Sequence, residues 1–397
     1  MQIDWLTSLL PPDEDVVTVV LDATRESESG RQAVQTRWRD LRRTLEAQGA
    51  PADALTAIDE RVERPTHVSG EHGRVLVASR AGLLVDRTLA GPPASDEAVV
   101  CRGGAGAFAL ARVADETVRY LVAEIDRAGA DVTFYDNAAY DPGHDEGTQT
   151  VEGGHDVLNK VRAPGTATRR IQARAEDSWD RNAEAVAAEL DRSVARRRPE
   201  LLILTGDVRA VPLVRDNLGG AARPLAVTIE GGSRADGVNQ EAFGEKVRAA
   251  LTAYRMRRRE EVIDRFRQDH GRDAGATTGL ESVVDVLRRG QVAELLVTEA
   301  VAGPPSSLAD RTLWVGEYGM QLAMSRQEAL DLGVDEPREL RADHALGLAA
   351  VEQGAGVTFV DEASLDLVDG VGAILRWHDA STPSDHALTM DGDTARM

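Results

Sequence analysis

Short runs of Val and Leu recur along this chain between charged, helix-patterned stretches, and that alternation constrains the fold to the α/β class. VVTVVLDA (16–23), RVLVAS (74–79), LLILTG (201–206) and GVTFVD (356–361) have the pattern of buried strands. A charged amphipathic helix fits 30–48, and a second starts at Pro51-Ala-Asp-Ala and runs to about Glu63. GLLVDRTL (82–89) follows RVLVAS across Arg80-Ala81 as a hairpin, whereas CRGGAGAF (101–108) reads as a loop or linker. In the middle, YLVAEID (120–126) and DVTFYDN (131–137) form a second hairpin. A long helix over about 171–197 then leads to LLILTG, a helix opening at Asp207, and the strand PLAVTIE (224–230). Phe243, Val247, Leu251, Tyr254, Val262 and Phe266 recur at helical spacing over 240–270, where the cluster from Arg255 to Arg259 reads as a solvated face paired with Glu260 and Glu261.

These elements predict three domains, each a mixed sheet with packed helices. They are an N-terminal α/β domain over 1–112, a middle domain over 113–238 and a C-terminal domain over 273–379. A linking helix occupies 239–272, and 380–397 reads as a polar tail.

One segment contradicts the charge of everything around it. The chain carries a formal net charge of −21, yet 157–175 holds Lys160, Arg162, Arg169, Arg170 and Arg174 with no acid among them. Pro164, Gly165, Thr166 and Ala167 sit in its middle and supply neither helical nor strand periodicity. A cationic loop on an acidic protein fits local docking onto phosphates; a solvated loop feeding a helix fits the same charges. The acidity of the remainder argues against coating DNA. The other lysine is Lys246, so the basic residues are almost all Arg, which reads as codon bias in a GC-rich genome rather than as function.

Several chemistries find no support. Cys101 is the sole cysteine, which excludes an intrachain disulfide and a Cys-based zinc site. No run approaches the ~18 apolar residues of a membrane span, and MQIDWLTSLL lacks a basic n-region. A cytoplasmic protein without cofactor or metal is expected. CRGGAGAF lacks the order of a dinucleotide loop, and no Gly-Lys-Ser/Thr follows it. His144 and His155, beside Asp141, Asp145, Glu146 and Asp156, have no ligand spacing that a helix could preorganise, so this stretch reads as an acidic surface loop. No Gly-x-Ser-x-Gly elbow is present.

The order of elements carries a resemblance. A hairpin, YLVAEIDRAGADVTFYD, is followed by a loop, a long helix containing DRNAEAVAAEL, the strand LLILTGDV, a basic helix, and GLESVVDVLRRGQVAELLVTEA. This order resembles the middle and C-terminal domains of the archaeo-eukaryotic peptide-chain release factor and Pelota superfamily. In detail it is similar to the bacterial branch that includes the ribosome hibernation factor Balon and its actinobacterial relatives. The resemblance covers roughly 115–378, and GLESVVDVLRRGQVAELLVTEA is its most specific stretch. It implies a ribosome-associated factor that occupies the A site in hibernation or stress.

Release factors carry Gly-Gly-Gln in the loop before the long helix. Counting back from Arg181-Asn182 puts that position near Gly165-Thr166-Ala167, where the glutamine is missing. The stop-codon-reading Asn-Ile-Lys-Ser is also absent. The resemblance therefore implies rRNA contact by Lys160, Arg162, Arg169, Arg170 and Arg174, with Pro164, Gly165, Thr166 and Ala167 at the loop tip. It further implies delivery with elongation factor Tu and action as a monomer. A second reading is a peptidyl-tRNA hydrolase of the ribosome-rescue type, in which Gln172, the nearest glutamine, would position water or the tRNA terminus. A third is a stress-induced protein that binds a protein partner through its acidic faces.

Overall fold

The computed structural model describes residues 14–379 and Thr382, apart from 26–27, 69, 103–105, 143–146, 153–165, 236, 272–274 and 303–305. Side chains of 28–29, 101–102 and 166–177 also lie outside the description. The fold is mixed α/β and divides into two compact units. The first holds residues up to Pro65, Glu71–Glu116 and the chain from Met256 onward; the second holds Thr66–Gly70 and Thr117–Arg255.

The first unit opens with strand β1 (Asp15–Asp22), helices α1 (Glu28–Ala47) and α2 (Ala52–Glu63), strands β2 (Gly73–Ser79), β3 (Gly82–Thr88) and β4 (Glu97–Arg102), and helix α3 (Ala107–Glu116). The strands form an antiparallel sheet in the order β3-β2-β1-β4. Period-two alternation sorts β1 between two cores. Val17, Val19 and Leu21 pack with Trp38 of α1 and Ile58 of α2, while Val16 and Val20 pack with Leu110 and Val113 of α3. Arg74 of β2 is buried and closes on Asp86 of β3 through two hydrogen bonds of 2.7 and 2.8 Å. Its remaining donor takes the carbonyls of Arg61 and Arg64, satisfying the C-terminus of α2.

The second unit contains β5 (Val118–Ile125), β6 (Gly129–Asn137), β7 (Thr148–Glu152), helix α4 (Thr166–Arg197), β8 (Leu201–Gly206), α5 (Ala210–Asn217), β9 (Ala226–Thr228) and the start of α6 (Gln240–His270). Its sheet runs β7-β6-β5-β8-β9, antiparallel from β7 to β5 and parallel from β5 to β9. Leu121, Ala123 and Ile125 face α4 and α5, while Val118, Tyr120 and Val122 face Phe243, Val247 and Leu251 of α6. Tyr120 is fully buried, stacks on Tyr135 at 5.0 Å and donates its hydroxyl to Asn137. Tyr140 bridges Tyr135 and Phe243 edge-on, so the few rings of this unit are largely spent on its core.

The rest of the first unit comprises β10 (Ala276–Thr278), α7 (Leu280–Arg288), β11 (Val292–Thr298), β12 (Thr312–Val315), β13 (Leu322–Ala323), α8 (Arg326–Asp331), β14 (Arg338–Arg341), α9 (Ala342–Glu352), β15 (Gly356–Val360) and β16 (Val371–Leu375). They build a sheet β10-β16-β11-β15 and a small sheet β13-β12-β14. Phe108 and Ala111 of α3 share one core with α7, α9 and β15, and Ile263 and Phe266 of α6 fill another with Leu296 and Ile374.

Glu294 of β11 is a half-buried acid whose side chain accepts from the Thr358 hydroxyl at 2.7 Å, and desolvation pushes its carboxyl above the usual range. A raised folded-state pKa means that ionisation at neutral pH opposes folding. That penalty is absent below the unfolded value of about 4.3 and grows as pH rises through it. Glu294→Gln keeps an acceptor for Thr358 without the charge. It is expected to raise the thermal midpoint at pH 7 and to match the parent near pH 4, as followed by circular dichroism melts.

Four sequence expectations need correction. CRGGAGAF is not a linker: Cys101 and Arg102 end β4, which pairs with β1, and Ala107 opens α3. The acidic, Gly-rich stretch after Asp141 contains the edge strand β7, whose polar residues suit an edge with one neighbour. Asp141 is itself buried, while His144 and His155 lie outside the described residues. The long helix starts at Thr166 rather than about Ile171, so the cationic segment is helical over 166–175. Of the cluster from Arg255 to Arg259, Arg257 is exposed, but the other three arginines do not form a solvated face. Arg255 is buried and donates to the Ala138 carbonyl at 2.7 Å, and Arg258 and Arg259 reach Asp115. The exposed face of the middle of α6 is left to Met256, Arg257, Glu260 and Glu261.

Candidate nucleic-acid interface

Helix α4 is the element that carries the cationic segment, and its position is set from the turn between β5 and β6. Asp126 closes that turn by accepting from the amides of Ala128 and Gly129 at 2.7 and 2.8 Å. Gly129 is required there, because a Cβ would lie 2.0 Å from the Val151 carbonyl of β7. The turn presents Arg127, whose guanidinium lies 4.5 Å from the Trp179 ring centroid and 3.1 Å from an Asp207 carboxylate oxygen. Asn182 donates to the Arg127 carbonyl at 3.0 Å. Asp207 is thus shared between Arg127 and the amides of Arg209 and Ala210 that open α5. Burial opposes its ionisation, but those amides and the guanidinium outweigh it and hold its carboxyl below the usual range.

Further along α4, Ala183, Val186, Ala187, Leu190 and Val194 bury one stripe against the sheet. Glu189 takes Gln149 of β7 at 3.0 Å together with Arg192, and Arg197 covers the Phe134 ring at 5.0 Å. Asp191 accepts from the Gly219 amide after α5. The helix is clamped from Ser178 to Arg197. The 12 positions before Ser178 extend it by about 18 Å at 1.5 Å per residue.

The structure distributes the predicted site residues as follows. Thr166, Ala167, Arg169, Arg170, Gln172 and Arg174 lie on the backbone of the first turns of α4, with Arg170 and Arg174 one turn apart. Lys160, Arg162, Pro164 and Gly165 lie outside the described residues. No acid occupies the first turn of α4, so the positive end of its dipole and the arginines act with the same sign. Among the described residues, no group of three or more His, Cys, Asp or Glu could hold a metal, and no helix is long and apolar enough to cross a membrane.

Sequence reasoning missed a second feature of this unit. A groove of about 500 Å³ lies at the C-terminal ends of β8 and β9, lined by residues of α5 and by Gly206, Val208, Thr228, Ile229 and Glu230. Gly206 has φ of 125° and a Cβ there would meet the Ile125 carbonyl at 1.9 Å, so only glycine lets the chain leave β8 at this angle. The available signal was a glycine ending one strand and an acid ending the next, separated by a short helix.

In comparison with known proteins, residues 119–272 match the family described as Bacterial archaeo-eukaryotic release factor family 2. The chain is 28% identical over 380 residues to Uncharacterized protein Rv2629 of Mycobacterium tuberculosis, covering 95% of this chain and 97% of that one. Among solved structures, Dom34 of S. cerevisiae is similar over 73% of this chain and 77% of its own, with 12% identity and a TM-score of 0.38. Pelota of Archaeoglobus fulgidus is similar over 95% and 92%, with 13% identity and a TM-score of 0.36.

Proposed function

We propose that this chain, which belongs through residues 119–272 to the bacterial branch of the archaeo-eukaryotic release-factor and Pelota superfamily, is a ribosome-associated factor whose cationic segment contacts rRNA in the A site. The observation that carries the reading is the concentration of five cations in 157–175, on a chain of net charge −21, at the opening of a clamped helix in the matched region. Phosphate neutralisation dominates RNA affinity, so such a segment directs one end of the molecule to RNA while the acidic remainder suppresses binding elsewhere. Lys160, Arg162, Arg169, Arg170 and Arg174 make the contacts, and Pro164 and Gly165 shape the tip. The middle domain, taken as 113–238, delivers them. The missing Gly-Gly-Gln favours occlusion of the site in hibernation or stress over peptide release. Gln172 lies within the helical backbone of α4 rather than in a free tip, which fits that preference. Elongation factor Tu would assist delivery of a monomer.

The test is co-sedimentation of the purified protein with 70S ribosomes across a salt series. Binding is expected to fall steeply with salt and to be lost when 157–175 is replaced by a neutral linker. Absence of binding at low salt, with and without elongation factor Tu, overturns the reading. Peptide release from stalled complexes that disappears in Gln172→Ala would replace occlusion with hydrolysis.

A further inference from the structure

The groove at the ends of β8 and β9 has the composition of a small-ligand site. Strand β8, helix α5 and strand β9 form a parallel crossover, and ligands of such units sit outside the C-terminal ends of the strands. The volume of about 500 Å³ falls within the range of ligand pockets. Val208, Val211, Pro212 and Ile229 supply the apolar wall, and Val208 is 81% exposed, a large apolar surface left open to the groove. Arg215 and Glu230 line it as well, and neither side chain has a hydrogen bond or ion pair among the described residues. Arg223 is different, because it spends its donors on the carbonyls of Asp216 and Leu218.

We propose that this groove binds one ribonucleotide unit. The base lies on the apolar wall, the phosphate meets Arg215, and a ribose hydroxyl donates to Glu230. The opening of α5 does not take the phosphate, because the Asp207 carboxylate already accepts its amides. That leaves Arg215 as the anion partner with a free fork. Asp216 and Glu230 oppose a run of phosphates along the groove, which limits the occupant to a single unit rather than a strand track. A carboxylate that accepts from a hydroxyl also selects ribose over deoxyribose. This site deepens the RNA reading of the same unit, but it is tested apart from it, without ribosomes.

The experiment measures binding of the full chain to a fluorescent pentaribonucleotide, its deoxy counterpart and AMP, by anisotropy and competition. Arg215→Glu is expected to weaken binding by about tenfold, and Glu230→Ala to abolish a ribose preference of about fivefold. Val208→Asp is expected to weaken it comparably, while Arg215→Lys retains most of the affinity. Binding of the pentamer but not AMP assigns the site to an RNA strand, and the reverse assigns it to a free nucleotide. No binding of either probe, or affinities unchanged in Arg215→Glu and Val208→Asp, overturns the proposal. In a chain whose 157–175 is replaced by the neutral linker, Arg215→Glu is expected to weaken AMP binding by the same factor although co-sedimentation is already lost, so the two readings fail separately.

Discussion

Reversing Arg169 and Arg170 together to Glu is expected to lower ribosome affinity roughly ten- to a hundredfold at near-physiological salt and to flatten the slope of log affinity against log salt by about 1.5. Each phosphate neutralised on a single strand contributes roughly 0.7 to that slope through counterion release. Two cations lost together therefore give a change well outside the scatter of a titration. Introduced glutamates also repel phosphate, so the affinity loss exceeds that of alanine. These positions lie in the first turn and a half of α4, whose described core contacts begin only at Ser178. The far-ultraviolet spectrum and thermal midpoint are accordingly expected to match the parent. Ribosome binding with an unchanged salt slope would move the RNA contact away from 157–175.

Replacing Asp115 with Ala is expected to cost about 3 kcal/mol, because it removes a buried carboxylate that answers two part-buried arginines. Asp115 is 5% exposed and ends α3. Its carboxylate lies 3.4 Å from the Arg258 guanidinium and 3.3 Å from that of Arg259, both on α6, and its carbonyl accepts from Arg258. Truncation takes a buried acceptor from two part-buried guanidiniums and from the Phe359 amide, which donates to the same carboxylate at 3.5 Å. For a unit of this size, the cost corresponds to a fall in thermal midpoint of roughly 10 °C, measured by calorimetry on the full chain. Asp115→Asn keeps the hydrogen-bonding shape without the charge and is expected to fall between Ala and the parent. A midpoint unmoved in Asp115→Ala would show that α3 is held to α6 by packing alone.

Strands that bury one or both faces were legible, because period-two runs of Val and Leu follow from burial whatever the partner. VVTVVLDA, RVLVAS and LLILTG lie where their patterns predict. Edges were not. Strand β7 reads as an acidic turn, since its residues are largely exposed and paired on one side only. Strand β4 has only three apolar residues in a row, Ala98-Val99-Val100, and its last two residues open the Gly-rich run, so its pairing with β1 is what reveals it. The candidate site was half legible. Charge asymmetry marks 157–175, but the opening of α4 at Thr166 needs the helical hydrogen-bond ladder. The groove needs two strand ends, brought together by the crossover between Gly206 and Glu230.

The sequence by itself determined an α/β fold, the position of most strands and helices, and one cationic segment on an acidic chain. Each of these follows from local periodicity or from a count of charges. Tertiary structure alone decided that the arginines of α6 answer a carboxylate at Asp115, that Arg127 clamps Trp179 and Asp207, and that Arg215 and Glu230 face one groove. Those pairings join residues distant in sequence. Their energies depend on burial and on distances of a few ångströms, and a linear order of residues specifies neither.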